Sequence, residues 1–306
     1  MGETRRHHYV PRLYLKRFTY DGKHLHSFII PDKQENVELD LAKSRRNLSV
    51  ENVCVSKDFY RISPKLANKN IPPLSLEKNF FQDNAEKHFK RVLDILDKKA
   101  LDVLENEEEC KNVAIYVTQD ITPELFLRIV QMTFIQYYRT TRSREKIEEI
   151  NNLIKISLKK GSLLEDELIG LDVPYTHADK TFANVYLFRR FLQKLSNYSM
   201  IFRISPNRNF FTTDNPVVIH KLGTVGSDIL DVNFYRDEFS VYFPLTPYLM
   251  LEFYNKDVFP NASKLDGTMT FVDIEYENKV NIYQYINAKK FVFSYKDDFS
   301  LFLKSC

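Results

Sequence analysis

Ser240-Val241-Tyr242-Phe243-Pro244-Leu245-Thr246-Pro247-Tyr248-Leu249-Met250-Leu251-Glu252-Phe253-Tyr254 is the stretch from which the fold is read. Two aromatic and aliphatic runs, Ser240–Phe243 and Leu249–Tyr254, flank a segment broken by two prolines. Short β-prone runs bounded by turn residues are strands. Working outward, the same signal recurs at Met200–Ile204, Phe210–Thr213, Val217–His220 and Thr270–Ile274. After a helix predicted over roughly Asn278–Lys289 it returns at Phe291–Tyr295. This spacing predicts a largely antiparallel sheet.

Upstream the period changes. Phe81, Ala85, Phe89, Val92 and Leu96 recur at helical spacing, with Ser75 as the N-cap. Thr122-Pro123-Glu124 reads as an N-cap and first-turn proline, and Phe126, Ile129 or Val130, Thr133 and Tyr137 make that helix's inward stripe. A third stripe contains Val185, Phe188, Leu192 and Leu195. Nearer the N-terminus, Asp21-Gly22 lies between Phe18-Thr19-Tyr20 and the alternating run Lys23–Ile30, a hairpin signal. Residues 31–50 read as loop or short helix, and Val53–Val55 and Phe59–Ile62 as short strands. The expected fold is α+β: a small β-containing N-terminal segment, a helical middle and a largely antiparallel C-terminal sheet with a late helix. The chain is expected to act as one unit over 1–306. A subdivision into an N-terminal β and helical part, 1–160, and a helix-plus-sheet part, 174–306, is placed at the loop between Lys159 and Pro174.

Composition excludes several classes. At 306 residues with 43% hydrophobic and 28% charged content the chain can bury one large core. A net charge of +3 does not by itself mark a nucleic-acid binder. Seven glycines and the absence of G-x-x-x-x-G-K or G-x-G-x-x-G argue against phosphate loops. No nicotinamide, flavin or haem signal is present. Cys54, Cys110 and Cys306 are odd in number and lack C-x-x-C spacing, against a disulfide scaffold or thiolate zinc site. No apolar stretch is long enough for a membrane span, and a cytoplasmic location is expected.

Chemistry concentrates in Arg5-Arg6-His7-His8-Tyr9-Val10-Pro11. Neutral imidazole can ligate a metal or carry a proton near neutral pH, and arginine offers a fork for phosphate or carboxylate. Pro11 favours extended backbone before it, which sends His7 and His8 to opposite sides, so one of the two enters a given site. The bland alternative is a frayed basic arm. Asp214-Asn215-Pro216 interrupts two strand runs. It places a carboxylate at a strand end, where it could hold a cation or orient a histidine; the alternative is an Asx-turn. His24 and His26 share one strand face, more in keeping with a polar face over Leu25 than with metal ligation.

Arg-Arg-His-His-Tyr-Val-Pro, continuing through Tyr14-Leu15 and Phe18, resembles the opening signature of a large, mostly bacterial family of uncharacterised proteins, domain of unknown function 4238. Further pieces resemble it in order: Ser49–Val53 with Phe59-Tyr60, Glu77 with Glu86, Gln136 with Arg139-Thr140, Phe211–Pro216, Phe243–Pro247, and Asn281 seven residues before Ala288. The resemblance spans nearly the whole chain and implies a shared fold and a shared site, without an activity. It is the main support for Arg139 and tips Asp214 from a turn towards the site; Asn215 beside it and Asn281, polar within an otherwise apolar helical stretch, are further candidates.

The first functional expectation is a metal-dependent phosphodiesterase, most simply a nuclease on nucleic acid in bacterial defence. In it His8 or His7 activates water and Asp214, with His8, holds Mg²⁺ or Mn²⁺. Arg6 and Arg139 bind phosphate, with Asn215 and Asn281 beside them. The second is a nucleotide- or anion-binding sensor without turnover. The third is an interaction protein whose basic N-terminal arm docks on a protein or nucleic acid.

Overall fold

In a computed structural model, which describes residues 6–30, 45–60, 85–110, 114–117, 120–159, 185–221 and 238–303, the strand pair expected around Pro244 is present as β9 (Phe239–Thr246) and β10 (Leu249–Asn255). Leu249 lies opposite Thr246 and Met250 opposite Pro244, so Leu245 is an extra residue and the strand bulges there. β8 (Val218–Lys221) covers β9 only as far as Tyr242, which leaves Pro244 where no ladder donor is needed.

These strands belong to a six-stranded sheet in the order β5-β11-β6-β10-β9-β8. The remaining members are β5 (Ile115–Tyr116), β6 (Tyr198–Ile204) and β11 (Thr268–Phe271). All pairings are antiparallel except β11 with β6. Alternation gives the sheet two characters. Phe202, Ile204, Phe243, Leu251, Phe253 and Met269 share its apolar side and are fully buried. The other side carries Ser199, Arg203, Ser240, Tyr242, Glu252 and Tyr254.

Helices α2 (Glu86–Glu105), α4 (Pro123–Tyr138) and α6 (Val185–Leu195) contribute to the same core as the apolar face. Phe89 of α2 meets Phe243 with ring centroids 6.4 Å apart, and Phe134 of α4 meets Phe191 of α6 at 5.5 Å. The expected stripe on α2 is buried at Phe89, Val92 and Leu96. The start of α4 follows the sequence closely: Thr122 Oγ1 accepts the Leu125 N–H at 3.1 Å, with Pro123 in the first position. Short helices α1 (Arg12–Leu15), α3 (Glu107–Cys110) and α7 (Pro260–Ser263) and the longer α5 (Thr141–Lys159) complete the series before the last helix, α8 (Ile274–Asn287).

A second sheet has the order β3-β2-β12-β7, from β2 (His24–Ile29), β3 (Arg45–Ser49), β7 (Thr212–Thr213) and β12 (Phe291–Ser294). It pairs the first thirty residues with the last twenty, so both it and the main core cross the loop expected after Lys159. Phe28, Phe211, Val292, Phe299 and Phe302 form a small core beside it.

Three local expectations differ from the structure. Asp21-Gly22 turns the chain, with Gly22 at φ +81°, but Lys16–Phe18 before it is a 3-10 turn, so no hairpin forms. Arg45–Ser49 is strand rather than loop, because β2 supplies its partner. Phe59-Tyr60 is a turn: Tyr60 spends its backbone N–H on the His7 side chain instead of a ladder. Glu77, Ser75, Phe81 and the loop 160–174 lie outside the described residues.

Candidate functional site

β1 (Arg6–His8) pairs with β4 (Val55–Lys57), setting Arg6 opposite Lys57, His7 opposite Ser56 and His8 opposite Val55. The two histidines therefore part company. His7 is fully buried; its ring stacks on Tyr60 at 5.8 Å and 6°, and its Nδ1 accepts the Tyr60 N–H at 3.2 Å. With that nitrogen as acceptor, a neutral His7 carries its proton on Nε2. His8 lies on the other face with Arg6 and is half-buried. Burial is the main influence that lowers its pKa below the usual histidine value, and the Arg12 and Arg139 charges add to it. A hydrogen bond to the Val50 backbone and the Glu51 carboxylate pull the other way. Its Nε2 is buried and makes no hydrogen bond among the described residues. Arg12 itself is paired to Glu51 at 2.5 Å.

Arg139 follows α4 and is 1% exposed. Its Nε donates to the Tyr60 hydroxyl at 2.9 Å, and its Nη2 to the His8 carbonyl at 2.8 Å and to Glu86 at 2.9 Å. The Tyr60 hydroxyl in turn donates to the Arg139 carbonyl at 3.2 Å. An arginine expected to meet phosphate thus braces the N-terminal strand. Beside it, Gln136 donates to the Tyr9 carbonyl at 3.4 Å.

Asp214 is 1% exposed, and its two oxygens accept the backbone N–H groups of Lys289, Lys290 and Phe291 at 2.9, 2.8 and 3.3 Å. Burial pushes its pKa up to about 6, against the lowering effect of those N–H donors. Its charge reaches Tyr9 and Cys54, whose hydroxyl and thiol touch, and helps hold both pKa values up behind the larger effect of burial. The N-terminal motif and Asp214 are therefore neighbours, but through Tyr9. The carboxylate fastens the segment between α8 and β12.

Asn215 lies in the same irregular stretch as Asp214, its Nδ2 donating to Asp214 Oδ1 at 3.3 Å, and Asn281 supports that stretch from α8. Asn281 Oδ1 accepts the Phe211 N–H at 2.8 Å and its Nδ2 donates to the Asn209 carbonyl at 2.7 Å. Gln284 donates to the Pro216 carbonyl, and Asn287 to those of Asn215 and Val217. Glu277, Asn281, Gln284 and Asn287 fall on one buried face of α8, each three or four residues from the last. Chain that leaves a sheet inside a protein must find partners for its backbone, and this polar face supplies them. Tyr14 completes the link: its buried hydroxyl is 2.6 Å from both Thr212 Oγ1 and the Pro244 carbonyl. Direct hydrogen bonds thus join the first, fifth and sixth pieces of the family resemblance.

Among the described residues no group of three or more His, Cys, Asp or Glu stands ready for a metal. Asp214, whose oxygens already hold backbone N–H groups, does not fit the Mg²⁺ or Mn²⁺ role with His8. Lys57, opposite Arg6, is not among the expected residues, because strand register is not legible in either short strand alone. Residues 6–298 match the family described as "Protein of unknown function (DUF4238)". No curated protein and no solved structure matches the chain.

Proposed function

Since the chain belongs to the DUF4238 family, whose description names no activity, we propose from its own residues that the β1–β4 face binds a phosphate-bearing ligand, single-stranded nucleic acid or a nucleotide. The observation that carries this is the direct cross-strand pairing of Arg6 with Lys57, two exposed cations with no acidic partner among the described residues. Like charges opposite one another on a strand pair repel. Phosphate between them converts that repulsion into two charge-assisted hydrogen bonds. His8 lies on the Arg6 side of the same strand, with the Arg12–Glu51 pair near it. Arg139 and Asn281 take no part, being spent on the interior.

The test is fluorescence anisotropy of labelled single-stranded DNA and RNA oligonucleotides over a salt series, with ATP and GTP as competitors. The double variant Arg6→Gln/Lys57→Gln should weaken binding and flatten the dependence of log K on log salt by roughly 0.7 for each phosphate that is no longer neutralised. Binding that the double variant keeps, with an unchanged slope, would overturn the proposal.

A phosphodiesterase is the second reading, and His8 is what favours it: an imidazole kept largely neutral at pH 7, with one nitrogen making no hydrogen bond among the described residues, suits a proton acceptor. Oligonucleotide cleavage would be followed with and without Mg²⁺ or Mn²⁺. Turnover that His8→Gln abolishes while binding persists supports it, and binding without turnover in every condition rejects it.

A further inference from the structure

Between α2 and α4 lies an open cavity of about 190 Å³ with no residue of β1 or β4 in its lining. Its lining combines arginines from two helices, a histidine and two carboxylates, Asp120 and Glu124, with an apolar wall. His88 and Arg91, three residues apart on α2, approach from one side and Arg128 of α4 from the other, over Val92, Ile95 and Leu125. A separate, much smaller pocket lined by Arg128, Gln131 and Arg139 shares His88 and Arg128 with it.

The carboxylates present do not saturate the two arginines. Asp120 is held by Lys99 at 2.5 Å. Glu124 lies 3.9 Å from Arg128 Nε, beyond hydrogen-bond reach, and its side chain is 72% exposed. Arg128 donates from one terminal nitrogen to Gln131 at 3.2 Å, while its Nε is buried with no acceptor among the described residues. A buried guanidinium N–H without an acceptor is costly, and an anion in the cavity would supply one.

We propose that this cavity is a binding site for a small phosphate monoester, its phosphate held by Arg91, Arg128 and His88 and its organic group against Val92, Ile95 and Leu125. Three converging donors suit the three terminal oxygens of a phosphate monoester better than the two of a carboxylate. The volume suits a phosphate carrying a short organic group.

Isothermal titration calorimetry on the full chain tests this with butyl phosphate, inorganic phosphate and hexanoate. Butyl phosphate should bind, and about tenfold more tightly than either of the others. Arg128→Gln should weaken it by about tenfold, the worth of one charged hydrogen bond. Glu124→Gln should tighten it, because a competing carboxylate leaves Arg128. Arg91→Gln, at an exposed position, repeats the loss should Arg128→Gln fold poorly. Arg6→Gln/Lys57→Gln should leave this binding unchanged, which separates the site from the β1–β4 face. No heat with butyl phosphate, equal binding of hexanoate, or binding indifferent to both arginine variants would each overturn the assignment.

Discussion

Arg139 Nη2 donates to the carbonyl oxygen of His8 at 2.8 Å, across 131 residues of sequence. The same guanidinium holds Glu86 and the Tyr60 hydroxyl, so one side chain binds the first strand, the helix α2 and the turn after β4. Losing the guanidinium removes the donor to the Tyr60 hydroxyl and the His8 carbonyl and the cation beside the part-buried Glu86, at roughly 2–4 kcal/mol in all. Arg139→Gln should therefore lower unfolding free energy in urea by about that amount. Arg139→Lys should restore little, because an ammonium cannot span three partners in one plane. A change below about 1 kcal/mol in either variant would contradict the bracing role.

Asp214 gives a pH signature. Its folded pKa, about 6, lies above the usual aspartate value near 3.8. Between these values the folded state binds the extra proton, so this group's contribution to stability falls as pH rises through the interval. Asp214→Asn should remove that slope. It should also cost roughly 1–3 kcal/mol at neutral pH, since an amide nitrogen would face backbone N–H donors. Urea titrations at acidic and neutral pH measure both effects.

His8 slopes in the opposite direction. Its folded pKa is lowered by burial, so as pH falls below about 6.5 the unfolded chain takes up the proton first and stability is lost. His8→Gln should make stability less sensitive to acid in that range, measured as the midpoint of thermal unfolding against pH. An unchanged pH profile would mean that His8 titrates freely in the folded protein.

Asn281 should behave as a backbone partner. Asn281→Leu strands the Phe211 N–H and the Asn209 carbonyl together, and a loss of roughly 2–4 kcal/mol is expected. Amide hydrogen exchange at Phe211 should accelerate in a milder Asn281→Asp variant, which keeps the acceptor and loses the donor, by less than in Asn281→Leu.

Much of the architecture is written locally. The Thr122-Pro123 start of α4, the α2 stripe and the alternating strands from Tyr198 onward depend on neighbours in sequence, and each is found near its expected place. The opposed directions of His7 and His8 follow from strand alternation ahead of Pro11. Partnerships are not legible in the same way. Asp214 looks equally like a ligand and like a backbone clasp until the N–H groups of Lys289–Phe291 are placed over it, seventy-five residues further on. Arg139 and Asn281 are similar: their residue types announce hydrogen bonding, and only the fold says to whom. Conversely, the Arg6–Lys57 pairing depends on the register of two three-residue strands, which no periodicity can fix.

The pairing of β2 with β12 bears on how the protein is made. A ribosome delivers β2 long before Phe291 exists. At ordinary synthesis rates the interval is on the order of tens of seconds. Throughout it, β2 offers an unpaired edge and Phe28 lacks the rings of Phe299 and Phe302. Completion of the second sheet thus waits for β12. A chaperone that shields strand edges would act on this interval, and a chain cut short before Phe291 would keep the β2 edge open and be prone to aggregate.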